Sequence, residues 1–316
     1  MPDIVFGKDR LIDKDFIYGI GVSNMKAGVA SYYCALRELV RAGVKLKGDV
    51  TLTCVSAELS SGGGTAAVIK GGYRGDYFVN CEPTDLVALT MHAIGSPLDI
   101  ELIGNTRHMS KREEAIDAIA VACDLIPRLN ALKFSDARTP DQLAINRTQV
   151  GVVHGALGKD LQEWRSSQVA DYVRIKGSAR YAPGQTHANA MADIQKQLDA
   201  IMAQYPGLKA NNLGAAMARP RENAGYFVSK DAPIVKAVND AYFTTRGVPQ
   251  PTGVEMTPAR YYGTDAPPLQ AAGMQGLVCG PGGKYNTMPD ERVDIVDYID
   301  MIKVHMLTMI NICGVQ

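Results

Sequence analysis

Leu98-Asp99-Ile100-Glu101-Leu102-Ile103 alternates apolar and acidic residues at period two, the pattern of a strand with one wet face. Downstream, Ser110-Lys111-Arg112-Glu113 has capping-box spacing and opens a helical stripe of Ile116, Ile119, Cys123 and Ile126. Two strand-like runs follow, around Val150-Gly151-Val152-Val153 and Tyr172-Val173-Arg174-Ile175. A second helix over Ala188 to Gln204 then groups Met191, Ile194, Leu198 and Ile201. The order βαββαβ predicts an antiparallel sheet with two helices on one face, an α+β domain over residues 91–222.

On both sides of this block the rhythm changes. A helix carrying Met25, Val29, Leu36, Leu39 and Val40 on one side stops near Gly43. The β-rich run Asp49-Val50-Thr51-Leu52-Thr53-Cys54-Val55 precedes a glycine loop, a small-residue helix and the strand Asp76-Tyr77-Phe78-Val79-Asn80. After residue 225 the pattern returns, with a helix from Ala232 to Arg246, a strand at Gly276-Leu277-Val278-Cys279 and a terminal helix after Pro289. Strands alternating with helices predict an α/β domain over 1–90 and 223–316, a mostly parallel sheet with helices on both faces. The α+β domain is inserted into it.

Composition narrows the function classes. The chain has 316 residues with 33 Lys+Arg against 33 Asp+Glu, so it lacks the cationic excess of a nucleic-acid binder or a polybasic membrane protein. Apolar residues are 46% and charged residues 21%, enough for packed cores and against disorder. No apolar run reaches the ~18 residues of a membrane span, and Met1 to Arg10 has no apolar leader core, which predicts a cytoplasmic protein. The six cysteines form no Cys-x-x-Cys pair and most lie in apolar stretches, so buried free thiols are expected.

The chemistry-bearing residues lie in the α/β part. Glu58 and Glu82 each follow a strand-like run, and ligands of such sheets bind at the carboxyl ends of strands. One carboxylate can bind a metal while the other acts as a base; the plainer reading is two solvated loop acids. Gly19-Ile20-Gly21-Val22-Ser23-Asn24 has the look of a dinucleotide fingerprint, but its third glycine is replaced by Asn24 and no acidic ribose ligand follows. Gly280-Pro281-Gly282-Gly283-Lys284 is not a phosphate loop, because no Ser or Thr follows the lysine.

Taken in order, these segments resemble one metallohydrolase family, that of acetylornithine deacetylase, succinyl-diaminopimelate desuccinylase, aminoacylase and carboxypeptidase G. Gly19 to Gly28 resembles its Gly-x-Gly-x-x-Asp-Met-Lys-Gly-Gly motif. Val55-Ser56-Ala57-Glu58 with Gly62-Gly63-Gly64-Thr65 is similar to its catalytic-glutamate loop, and Cys81-Glu82-Pro83-Thr84 to its Glu-Pro-Thr segment. Gly104 to Ser110 resembles its Gly-x-x-x-His-x-Ser lid motif, and Arg180 to Thr186 its Arg-x-x-Pro-Gly element. Gly263-Thr264-Asp265-Ala266 and Gly280-Pro281-Gly282 resemble its C-terminal signatures.

The resemblance implies a catalytic domain interrupted by a lid that dimerises, and a hydrolase acting on the amide C–N bond of a small N-acylated amino acid or related carboxylate. By the same resemblance Glu58 is the general base, His108 the oxyanion donor, Arg180 the substrate-carboxylate clamp and Glu82 a metal ligand. The implied cofactor is a divalent metal, zinc or manganese, and the implied partners are a small-molecule substrate and a second copy of the chain. Neither nucleic acid nor a membrane is expected.

Departures concentrate at the metal. Asn24 stands at the bridging aspartate, Leu59 at the second glutamate of a Glu-Glu pair, and no histidine follows Gly280-Pro281-Gly282, where Asn286 is the nearest polar stand-in for binding metal or substrate. No histidine precedes His92 either, so the first ligand motif is missing, and the chain is expected to lack the family's first strands. An amide offers a metal one weak carbonyl oxygen and no charge. The resemblance therefore also leaves open a small-molecule-binding relative that has lost the dinuclear site.

Overall fold

The computed structural model describes residues 12–58, 62–217, 225–254 and 258–316. Two units divide the chain, one running to His92 and resuming at Tyr226, the other formed by Ala93–Gly225. The first begins with β1 (Phe16–Tyr18), α1 (Ala27–Arg41), α2 (Gly63–Lys70), β2 (Tyr77–Asn80) and β3 (Met91–His92). The second holds β4 (Ile94–Ile103), α3 (Ala118–Ala131), α4 (Pro140–Ile145), β5 (Arg147–Ala156), β6 (Tyr172–Tyr181), α5 (His187–Gln204) and β7 (Lys209–Asn212). The first unit then resumes with β8 (Tyr226–Phe227), α6 (Pro233–Arg246), α7 (Ala266–Ala271), β9 (Gln275–Val278), β10 (Gly283–Lys284), β11 (Arg292–Asp294) and α8 (Ile295–Cys313).

The inserted unit is a four-stranded antiparallel sheet in the order β5-β6-β4-β7. Leu98, Ile100 and Leu102 on β4 and Val173 and Ile175 on β6 pack with Val121, Leu125 and Leu129 of α3 and Ile194, Leu198 and Ile201 of α5. The α5 stripe is the one that its periodicity predicts. For α3 the cap differs from the expected one: Asp117 accepts from the Ile119 and Ala120 backbone N–H groups, while Met109–Glu114 forms 3-10 turns. The face of α3 that packs in the core is Ala118, Val121, Ala122, Leu125 and Leu129, while Ile119 and Cys123 of the expected stripe are exposed. The acidic face of β4 is not wet either. Asp99 forms a two-pronged pair with Arg174 at 2.5 and 2.8 Å, and Glu101 accepts from Lys159 at 2.8 Å, so both acids are buried.

In the first unit, the expected mostly parallel sheet reduces to one parallel ladder among the described residues, β2 with β9. The β1-β11-β10 and β3-β8 sheets are antiparallel. Residues 49–55 form no strand; Cys54 and Val55 are exposed, because a β-rich run without a hydrogen-bonded neighbour has no ladder to join. Only Cys81 and Cys279 are buried cysteines, while Cys54 and Cys123 are exposed, which corrects the expectation of buried thiols throughout.

Helix α1 also turns a different face inward. It buries Ala27, Gly28, Ser31, Ala35 and Leu39, while Val40 is exposed. Close approach is the reason: a Cβ on Gly28 would lie 2.1 Å from the Cys81 carbonyl oxygen, so small residues win this face over larger apolar ones. The core gathers Leu86, Leu89, Tyr226, Val235, Val238, Leu277, Met301 and Val304. Among the described residues no helix is long and apolar enough to cross a membrane.

Candidate active site

Glu82 is delivered to the interior by its backbone. It comes two residues after the end of β2, and a Cβ on Gly280 would lie 2.3 Å from its carbonyl oxygen, so the glycine loop after β9 packs directly on this segment. The residue is 3% exposed, and its Oε1 has no hydrogen-bond partner in the protein. Burial, reinforced by the negative charges of Glu58 and Asp265, pushes its carboxyl up to about 8. Neutral pH therefore favours the protonated acid.

Asp265 immediately precedes α7 and is buried. Its Oδ2 accepts from Thr65 Oγ1 on α2 at 2.8 Å, while its Oδ1 has no partner. Burial raises its carboxyl, and the Thr65 hydrogen bond opposes that rise. Gly62 suits the loop for two reasons: its φ is +68°, and a Cβ there would lie 2.7 Å from Asp265 Oδ1. Glu58 sits in the turn that leads to this loop, half-buried, with its carboxyl raised by burial and then by Asp265. The first unit thus sets two sealed acids beside one that reaches solvent.

The glycine-rich segment before α1 serves a structural end. Glu291 is buried, and its carboxylate accepts from the backbone N–H groups of Gly21 at 2.8 Å, Ser23 at 3.0 Å and Asn24 at 2.8 Å. Successive N–H groups that would cradle a phosphate are filled by the chain's own carboxylate. Ser23 Oγ donates to Asn286 Oδ1 at 2.5 Å, and Asn286 Nδ2 donates to the Tyr262 hydroxyl at 3.2 Å. Both ends of the Asn286 amide are engaged inside the protein.

The other two expected site residues belong to the inserted unit. His108 is exposed, its Nδ1 accepting from the Ser110 N–H at 3.3 Å and lying 3.0 Å from the Ser110 hydroxyl. Arg180 lies on β6 in register with Gly95 of β4 and Arg147 of β5. A Cβ on Gly95 would lie 2.1 Å from Arg180 Nη1, so the guanidinium lies over strand β4 where that residue has no side chain.

Glu58 and Glu82 thus share an electrostatic neighbourhood with Asp265, a residue whose part in the site the motif reading did not assign. Asn24 belongs to the Glu291-held segment and Asn286 hydrogen-bonds to its Ser23, while Leu59 falls outside the described residues. Glu291 lies just before a short strand, a place where an acid carries no sequence signal of its own.

The residues present do not fit a dinuclear metal centre. Among the described residues no group of three or more His, Cys, Asp or Glu side chains can hold a metal ion. Two of the implied ligand positions are amides, and the carbonyl oxygen of Asn286 already accepts from Ser23. At positions 24 and 286 a metal would meet amides in place of the histidine nitrogen and carboxylate ligands that zinc takes.

The sequence model described as Peptidase family M20/M25/M40 matches residues 4–311. The chain is 22% identical over 308 residues to succinyl-diaminopimelate desuccinylase of Psychromonas ingrahamii, covering 93% of this chain and 74% of that one. It is also 22% identical over 323 residues to N-formyl-4-amino-5-aminomethyl-2-methylpyrimidine deformylase of Bacillus subtilis, covering 94% and 72%. Among solved structures, a tripeptidase from Staphylococcus aureus superposes with a TM-score of 0.70 at 18% identity, over 96% of this chain and 75% of that one. At that identity the likeness is one of fold.

Proposed function

The chain belongs to peptidase family M20/M25/M40, and from that premise we propose that it hydrolyses the amide C–N bond of a small N-acylated amino acid or related carboxylate. Glu58 carries the reading, because it is the acid of the cluster that reaches solvent. As a carboxylate it takes a proton from the attacking water as the oxygen adds to the amide carbon. It then returns that proton to the departing nitrogen as the C–N bond breaks. His108 Nε2–H is assigned to the oxyanion that forms between these steps, and Arg180 to the substrate carboxylate.

The test is Glu58→Gln assayed on N-acetyl and N-succinyl amino acids and on dipeptides. Turnover should fall by roughly 10²–10⁴ while the melting temperature stays near that of the parent chain. Turnover at the parent level removes Glu58 from the mechanism.

A second reading has its own observation. With Ser23 holding the Asn286 oxygen and an amide at Asn24, the chain has the make-up of a relative that binds small carboxylates without hydrolysing them. Thermal shifts with N-acyl amino acids that vanish in Arg180→Ala, with no turnover under any condition, support that alternative.

The same reading includes a homodimer through the inserted unit, in its role as lid. What supports it is β5, which pairs only with β6 among the described residues and carries Val152 and Val153 exposed. Light scattering of the whole chain gives the answer: twice the chain mass supports the dimer, and a single chain mass rejects it.

A further inference from the structure

The β1-β11-β10 sheet of the first unit carries two cations side by side among aromatic rings. Arg292 of β11 stands in register between Tyr18 of β1 and Lys284 of β10. Its guanidinium carbon lies 5.1 Å from the Phe16 ring centre, 5.6 Å from that of Tyr18 and 4.9 Å from that of Tyr285. Lys284 Nζ lies 5.3 Å from the Phe16 ring centre, so one ring serves both cations. Three rings around one guanidinium hold a long side chain in place, and little rotamer freedom is left to lose on binding a ligand.

Like charges directly opposite on paired strands repel, and this pair has no counterion. Among the described residues neither Arg292 nor Lys284 forms an ion pair. Two carboxylates sense them, Asp13 for Arg292 and Asp85 for Lys284, and each does so more weakly than it senses its other neighbours. Arg292 is half-buried: its Nε is sealed without an acceptor, and the outer edge of its fork is the part that reaches solvent. Lys284 is exposed. The arrangement is a fixed planar donor fork beside a mobile point charge, both open to an incoming anion.

We propose that Arg292 and Lys284 bind the dianionic group of a small ligand, a phosphate or a dicarboxylate, at a site that shares no residue with the acids of the candidate active site. A guanidinium edge takes two oxygens and the neighbouring ammonium a third, so a dianion neutralises both cations where a monocarboxylate neutralises one. The site stands independently of the amide-hydrolysis reading.

The test is calorimetry on the full chain at pH 8 and low ionic strength, with inorganic phosphate, succinate and acetate as probes. One saturable site should appear, with phosphate or succinate binding at least tenfold more tightly than acetate. The tighter of the two dianions identifies the source of the charge. Equal affinity for all three probes, or no saturable binding, overturns the proposal.

Arg292→Gln and Lys284→Ala should each weaken dianion binding roughly tenfold, the loss of one charge-assisted contact. Lys70→Ala removes the same charge from the exposed last turn of α2 and should leave binding unchanged. Phe16→Leu keeps both charges but removes the ring that they share, and should weaken binding severalfold. Equal losses in Lys70→Ala and Lys284→Ala overturn the site, because overall charge then attracts the anion; parent affinity in Phe16→Leu overturns it for the same reason. If Arg292→Gln fails to fold, Lys284→Ala decides, since it alters an exposed side chain. Glu58→Gln should bind the dianions as the parent does, whatever its turnover. Lost binding in that variant puts the anion at the acids and overturns the assignment.

Discussion

Cys81 Sγ lies 3.2 Å from His305 Nε2, and both residues are buried, His305 on α8 and Cys81 against Ser31 of α1. A thiol and an imidazole at this distance form a reactive ion pair only where the charged forms are solvated or supported. Here burial pushes the Cys81 thiol up and the His305 imidazole down to about 3, so both stay neutral. In the native protein, alkylating reagents should modify Cys54 and Cys123 and spare Cys81 and Cys279 until the chain unfolds. Mass spectrometry of peptides from native and unfolded protein checks this.

The burial of His305 sets a pH dependence of stability. The unfolded imidazole takes up a proton near 6.5, while the folded one resists protonation down to about 3. The unfolded state therefore binds the extra proton across that window, and stability falls as pH drops from about 6.5 towards 3. The expected slope is up to about 1.4 kcal/mol per pH unit for this one group. Urea unfolding at pH 7 and pH 5 should show a smaller loss in His305→Leu than in the parent; equal losses identify another titrating group.

Glu291 satisfies three backbone N–H groups, those of Gly21, Ser23 and Asn24. Glu291→Ala leaves them unpaired and should lower unfolding free energy by about 2–4 kcal/mol, with Glu291→Gln in between. The urea midpoint at unchanged slope is the measurement. A cost within experimental error means that the Gly21–Asn24 segment finds other acceptors.

In the inserted unit, Glu101 accepts from Lys159 at 2.8 Å, Asn211 at 2.8 Å and the Tyr172 hydroxyl at 3.2 Å. The Lys159 hydrogen bond is the main cause that holds its carboxyl below the usual range. This contribution is present above the unfolded value of 4.5 and is lost as pH falls through the lower folded value. Because Lys159 is largely exposed, Glu101→Gln should cost only about 1 kcal/mol at pH 7. At pH 3 the two proteins should unfold at closer midpoints, and a gap that widens in acid contradicts the assignment.

Gly95→Ala places a methyl group where the Arg180 guanidinium lies. The group that must yield is the tip of a flexible side chain, so the fold should survive while the guanidinium shifts. On the proposed reading KM for a carboxylate substrate rises roughly tenfold with kcat little changed, the effect of losing one charge-assisted hydrogen bond. An unchanged KM separates Arg180 from the substrate.

What the sequence makes legible is what repeats. Met191, Ile194, Leu198 and Ile201 recur at helical spacing, and all four are buried on α5. The misread helices fail for physical reasons. On α1 the buried stripe is small-residue up to Leu39, the close approach of Cys81 leaving no room for a side chain at Gly28, and hydrophobic bulk pointed to Val40 instead. On α3 two residues compete to start the helix, and Asp117 wins over Ser110. Thr51 to Val55 has strand composition, but a strand also needs a neighbour, which local sequence cannot supply. At the site, Glu58 and Glu82 stand out because acids after apolar runs are conspicuous. The convergence of Asp265 on them from a loop more than 180 residues away, and the capture of the glycine segment by Glu291, are products of the tertiary fold.

The β3–β8 ladder pairs Met91 with Phe227 and His92 with Tyr226. The chain therefore leaves for the inserted unit and returns from it through two adjacent, hydrogen-bonded strands. A module whose ends lie side by side behaves as a cassette: its removal leaves a gap that a short hairpin turn can span. Its own termini are close enough for transplantation into another host at any exposed turn. The acid cluster and the edge strand β5 thus reside on parts of the gene that recombination can exchange independently, which gives this architecture a route to new specificities without rebuilding either core.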